Sequence, residues 1–231
     1  MPSFDIIREY EPPNSFRAKS TIGAFDIPEG KLKERFKGEI DIENKEWNIG
    51  LIVGGSGTGK STIAKKIFKD EYIQKYEYNA KCVLDDMPSK SIKDIQNIFT
   101  NVGFASPPSW LKPYKVLSDG EKMRVDLARA LLEEKKTIAF DEFTSVVNRE
   151  VAKTASLAIQ KTVKKLEKKF IAISCHSDII EWLQPDWIYD TDAKEFFFVK
   201  NTTDQKSSLK YTELKNKTKQ SFGSHLKNTI I

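Results

Sequence analysis

Trp47 to Val53 (WNIGLIV) is a nearly continuous apolar run, which predicts a strand buried on both faces. A glycine-rich turn follows, and then STIAKKIFK, whose spacing is helical. Thr137 to Phe140 and Phe170 to Ser174 predict two more short strands. Residues 118–134 carry Met123, Leu127, Ala130 and Leu131 on one side of a helix, and residues 149–168 predict a lysine-rich helix. KCVLDD at 81–86 also reads as a strand. The mixed stretch after it, broken by Pro88, Gly103, Pro107, Pro108 and Pro113, predicts loops and short helices. Residues 1–45 alternate short strand-like runs with turn signals at Pro12-Pro13-Asn14 and Pro28-Glu29-Gly30. KEFFFVK at 194–200 predicts a strand at a sheet edge, flanked by lysines. Strands alternating with helices, without an internal repeat, point to an α/β fold with a largely parallel sheet.

Composition narrows this little. At 231 residues and 26.4 kDa the chain suits one ordinary domain with a small inserted lobe. A hydrophobic share of 39% against 31% charged allows a packed core, and the net charge of +5 permits a nucleic-acid or acidic partner without demanding one. Cys82 and Cys175 lie far apart in strand-like runs. With two histidines in all, they make neither a disulfide scaffold nor a zinc motif. The N-terminus lacks the pattern of a signal peptide, and no stretch approaches the roughly 20 apolar residues that cross a bilayer. The expectation is a cytoplasmic protein that is not a self-contained transporter.

Chemistry enters at Gly54-Gly55-Ser56-Gly57-Thr58-Gly59-Lys60-Ser61, which fits G-x-x-x-x-G-K-[ST]. Glycines let backbone N–H groups wrap closely around phosphate oxygens, and the helix behind points its positive end at the same anion. In this pattern Lys60 reaches the β- and γ-phosphates and the Ser61 hydroxyl ligates Mg²⁺, with Thr62 completing the nucleotide-binding set. The loop sits between a strand-like and a helix-like run, as the motif requires.

Further along, Leu117-Ser118-Asp119-Gly120-Glu121 opens the helix MRVDLARALLEE. Ser118 followed by Glu121 is on its own a capping box. Asp141, 23 residues beyond Ser118, and Glu142 after it end an apolar strand, where carboxylates meet bound Mg²⁺ and a water. His176 follows the next strand, 35 residues after Asp141.

This ordered set resembles the ABC-type ATPase family: P-loop, signature, Walker B strand, D-loop and switch histidine, over residues 47–190. The resemblance implies a P-loop fold with a mainly parallel sheet, an N-terminal antiparallel portion and a reduced helical lobe at about 87–132, within a domain spanning 1–200. It also implies a head-to-tail homodimer with ATP sandwiched at its interface. Ser118, Asp119, Gly120 and Glu121 of one copy would then face the phosphate loop of the other. Asp141 would hold Mg²⁺, Glu142 would polarise the attacking water, and His176 would contact the γ-phosphate. Either Phe25 or Phe36 would stack on adenine.

Departures from the family pattern are specific. The signature reads LSDGE, Phe143 replaces a proline, and Asn148 stands where aspartate is usual in the D-loop. The Q-loop glutamine is missing from its expected context. Asp85 in VLDDMP is read as its replacement and a third metal ligand, with Gln96 the other candidate. VGFASPPSWLKPYKVLSDGEKMRVDLARALL, FDEFTSVVNREVAK and CHSDIIEWLQPDWIYD resemble most closely a group of stand-alone ABC-type ATPases. Some of its members are fused to a predicted acetyltransferase, which here would have to come from a separate chain. The leading expectation is therefore a soluble ATPase acting on a partner protein or nucleic acid. The alternatives are a transporter's nucleotide-binding subunit and an ATP-gated DNA- or RNA-binding module. Residues 201–231 are lysine-rich and read either as a solvated tail or as a contact with an anionic partner.

Overall fold

The computed structural model describes residues 3–11, 13–27, 32–73, 75–199 and 212. The expected basic tail thus lies, apart from Thr212, outside the described residues. Strand β1 (Ser3–Tyr10) pairs antiparallel with β2 (Leu32–Glu39), and helix α1 (Phe16–Ala24) connects them. The sequence pattern did not announce α1. Ser15 caps it by accepting from the Ala18 N–H at 3.2 Å, and none of its residues is buried.

Among the described residues the main sheet has six strands in the order β4-β5-β6-β3-β7-β8. They are β3 (Ile49–Val53), β4 (Tyr72–Ile73), β5 (Thr137–Phe140), β6 (Lys169–Ser174), β7 (Trp187–Asp190) and β8 (Glu195–Phe198). All neighbours are parallel except β7 and β8, and β8, which is antiparallel, is the edge strand expected at KEFFFVK. β3 lies centrally with all five residues buried, which is why its sequence shows no alternation. Gly50 within it leaves room for the Trp187 indole: a Cβ there would stand 2.0 Å from the ring.

Helices cover both faces. On one side α3 (Ile92–Asn101), α5 (Asp119–Leu132) and α6 (Arg149–Lys165) bury Phe99, Leu127, Leu131 and Ile159 against Leu51, Ile138 and Phe170. On the other, α2 (Lys60–Ile67) and the N-terminal strands bury Phe4, Ile63, Trp47 and Trp187. The short α4 (Pro107–Trp110) and a 3₁₀ turn at Tyr114–Val116 lead into α5, and α7 (Ile179–Leu183) packs near α6. Trp187 is fully buried, and Trp182 packs half-buried against the core, so both serve packing.

One expected strand is absent. Residues 80–87 form successive turns instead of a strand through KCVLDD. Asp85 N–H bonds to the Cys82 carbonyl and Met87 N–H to Leu84, while the Asp86 carboxylate accepts from the N–H groups of Asn79 and Ala80. An aspartate that captures nearby main-chain donors, as Asp86 does, favours a turn over a ladder. The strand beside β5 is the two-residue β4, too short to show a period.

Candidate functional site

The phosphate loop leaves β3 at its buried C-terminal end and enters α2 at Lys60. Gly59 caps α2 with φ 88°, and a Cβ there would lie 2.4 Å from the Phe36 ring, so both backbone and packing require glycine. No side chain caps α2, so its first N–H groups face the loop's hollow. The loop is braced from the β7–β8 turn. Thr191 N–H bonds to Val53 O at 2.8 Å, and the Thr191 and Thr58 hydroxyls meet at 2.6 Å. The Asp192 carboxylate accepts from Gly55 N–H at 2.9 Å. The Lys60 ammonium donates to the Gly55 carbonyl at 2.5 Å.

Beside the loop lies a cleft of about 370 Å³, lined by Phe36, Lys37, Thr58, Tyr189, Asp192 and Lys194 among others. This separates the two aromatic candidates. Phe36 reaches the cleft from β2, whereas Phe25 is 75% exposed and does not line it.

Ser61 and Asp141 are brought together from α2 and the end of β5. The Ser61 hydroxyl donates to Asp141 Oδ1 at 3.1 Å, and the Tyr72 phenol donates to Oδ2. Asp141 is buried, and both oxygens thus have a donor. Burial, and then the Asp141 carboxylate, push the Tyr72 phenol above its ordinary value, so it stays a neutral donor. Among the described residues no group of three or more His, Cys, Asp or Glu side chains could form an all-protein metal cage. A hydroxyl and a carboxylate within 3.1 Å of each other suit a hard cation that takes its other ligands from phosphate and water.

Glu142 leaves the strand with φ 53°, and its exposed side chain is thereby freed from the sheet. Phe143 turns inward, fully buried against Phe140 and Phe170, with its N–H on the Ile173 carbonyl. The residue that departs from the family pattern is therefore a core anchor for the turn that presents Glu142. Asn148 caps α6 by accepting from Val151 N–H at 2.9 Å.

His176 follows β6, half-buried, with its N–H on the Ser174 hydroxyl at 3.1 Å. Burial lowers its imidazole below the ordinary histidine value, helped by the Arg149 charge and opposed by Asp178 and Glu142. Lys60 also acts on it. Glu142, His176 and the phosphate-loop lysine therefore share one electrostatic neighbourhood, rimmed by the bidentate Arg149–Asp178 pair.

Ser118 is elsewhere. Its hydroxyl accepts from Glu121 N–H at 3.4 Å and donates to the Glu121 carboxylate at 2.8 Å, which also takes the Ser118 N–H. This is a complete capping box on α5, and those main-chain and hydroxyl donors hold the Glu121 carboxyl below its usual value. Ser118 and Asp119 are exposed, and the contacts of Ser118 are with its own helix start rather than with its own chain's phosphate loop. Asp85 stays apart too: it is exposed and accepts from the Cys82 thiol at 3.1 Å. Gln96 lies within α3, away from β5's carboxylates in the element order. Tyr72, Thr191 and Asp192 were missed from sequence, because none sits in a recurring pattern.

The NB-ARC domain model, which describes a P-loop ATPase domain, matches residues 30–165. The methionine import ATP-binding protein MetN of Clostridium tetani is 25% identical, over 62% of this chain and 57% of its own length. The chain thus spans little more than half of that relative. Among solved structures, cbiO1 from Clostridium perfringens, part of the ABC transporter complex cbiONQ, superposes with a TM-score of 0.52 at 20% identity, covering 67% of this chain and 76% of that one. The ATP-binding cassette MJ0796, dimeric in a post-hydrolysis state with ADP and Pi, gives a TM-score of 0.55 at 14% identity, covering 80% and 94%.

Proposed function

Because the chain belongs to the P-loop ATPases that the NB-ARC domain model describes, and is an ABC-type ATPase in fold, we propose that two copies bind and hydrolyse Mg-ATP across a head-to-tail interface. The observation that carries this reading is the meeting of Ser61 and Asp141 beside the phosphate loop, with Glu142 and His176 in the same field. Residues 54–62 bind the phosphates through main-chain N–H groups and Lys60, while Phe36 stacks on the base in the adjoining cleft. Mg²⁺, when bound, neutralises phosphate charge. Ser61 and Asp141 hold it, Glu142 orients the attacking water, and His176 steadies Glu142 and the terminal phosphate.

Ser118 engages the other copy. Its exposed position on the first turn of α5 presents a hydroxyl and a helix N-terminus to an anion outside its own chain. Asp85, exposed and bonded to the Cys82 thiol, stands apart from the pair of Ser61 and Asp141, so substituting it should leave metal binding unchanged.

A second reading draws on the methionine-import relative: a nucleotide-binding subunit serving a separate membrane protein. Among the described residues no helix is long and apolar enough to cross a membrane. Stable co-purification with a membrane protein would favour this second reading over action on a protein or nucleic acid.

The test of the main reading is the light-scattering mass of Glu142→Gln with and without Mg-ATP. We expect a mass near twice 26.4 kDa only with ATP, because removing the water-orienting carboxylate traps the sandwiched nucleotide. A monomer in both conditions, with ATP still bound, overturns the dimeric site.

A further inference from the structure

We propose that Tyr72 is a positioning residue for the metal site, orienting Asp141 through its phenol. The proposal rests on the reading of Asp141 as a metal ligand. Asp141 is 7% exposed, and the structure gives its two oxygens one donor each: Ser61 on Oδ1 and Tyr72 on Oδ2. In that reading Ser61 is itself a ligand. Its hydroxyl then turns its oxygen to the cation and no longer restrains the carboxylate. Among the described residues Tyr72 is left as the group that fixes the carboxylate's rotation about its Cβ–Cγ bond.

The phenol is built for this. β4 places Tyr72 directly opposite Ala139 of the parallel strand β5, and the Glu71 carbonyl takes the Ala139 N–H at 2.9 Å. The Ile73 carbonyl in turn takes the Asp141 N–H at 3.0 Å. Tyr72 and the main chain of Asp141 are thus locked in one register. The Lys65 ammonium stands over the Tyr72 ring, 5.3 Å from its centre. The same short strand buries Ile73 in the core, which holds the segment, and with it the hydroxyl, in place. Groups that orient a metal-bound carboxylate change metal affinity as well as rate.

Manganese binding tests this without turnover. Free Mn²⁺ is measured by electron paramagnetic resonance in the presence of a non-hydrolysable ATP analogue, for the parent protein, Tyr72→Phe and Asp141→Asn. Losing a group that orients a metal ligand costs about 10-fold or more in affinity, and Tyr72→Phe should weaken Mn²⁺ by about that factor. Its binding of the analogue without metal should be unchanged, as should its metal-free melting temperature within a few degrees. A Tyr72→Phe protein that binds Mn²⁺ like the parent, while Asp141→Asn is defective, overturns the proposal and leaves the metal site standing. Should neither substitution weaken Mn²⁺, the assignment of Asp141 falls and the proposal falls with it.

Discussion

Ser118 supports two readings that a single substitution separates. In the folded chain it is one half of a capping box: the hydroxyl accepts from Glu121 N–H at 3.4 Å, and the Glu121 carboxylate closes back on Ser118. Ser118→Ala removes the hydroxyl but leaves the carboxylate on the Ser118 N–H, so only half the box is lost. N-cap replacements of this kind cost about 1 kcal/mol. For a chain of this length that lowers the melting temperature by about 2–4 °C. If capping were the whole role of Ser118, the variant would hydrolyse ATP normally below its melting range.

The proposed site predicts otherwise. A hydroxyl donor aimed at transferring phosphate in a site closed to water behaves like an oxyanion-hole donor, whose loss costs about 10²–10³ in turnover. The gap between a cap's effect and a catalytic donor's effect is thus about two orders of magnitude. Steady-state ATP hydrolysis and a thermal melt measure both. Mixing adds the decisive control. Ser118→Ala and Lys60→Ala are each inactive alone, but a mixed dimer holds one intact site made from the lysine of one chain and the serine of the other. An equal mixture should recover about a quarter of parental turnover, since half the dimers are mixed with one good site each. Ser118→Ala with normal turnover refutes the catalytic role. Inactive parents that fail to complement refute the placement of Ser118 across the interface.

Two further outcomes are expected. Phe36→Ala should weaken ATP binding by about 10-fold or more, the worth of one base–aromatic stack, whereas Phe25→Ala should leave it unchanged; equal affinities in a calorimetric titration would remove Phe36 from the base site. The pH profile of turnover should have an acid limb below the ordinary histidine value and stay level through neutrality, because burial, then Arg149, keep the His176 imidazole neutral. The sign for stability agrees. Below about 6.5 the unfolded imidazole takes a proton that the folded one resists, so His176 favours folding above that pH and opposes it on acidification. A His176→Ala variant that keeps the same acid limb would assign that limb to another group.

Much of the site was legible because its residues sit in a row. The phosphate loop is eight consecutive residues whose types follow from wrapping a backbone around an anion, and the box at Ser118 and Glu121 is a local hydrogen-bond pattern. The β5 and β6 strands were equally plain, since full burial demands unbroken apolar runs. What failed was short or non-local. KCVLDD has a strand's composition, yet the Asp86 carboxylate takes the main-chain donors of Asn79 and Ala80, Asp85 takes the Cys82 thiol, and the segment turns. β4, at two residues, cannot display a period.

The sequence by itself therefore determined the chemistry on offer: a phosphate loop, a carboxylate pair at a strand end, a histidine after the next strand, and a capped helix start. Each is encoded within a few residues. Only the tertiary structure decided which groups meet. It chose Phe36 over Phe25 for the cleft, set Phe143 as the buried anchor behind Glu142, and left Asp85 with Cys82. It also set the Tyr72 phenol on Asp141 across 69 residues of chain. The physical reason is the parallel sheet, whose neighbours are remote in sequence and whose register is fixed by buried side chains on both faces.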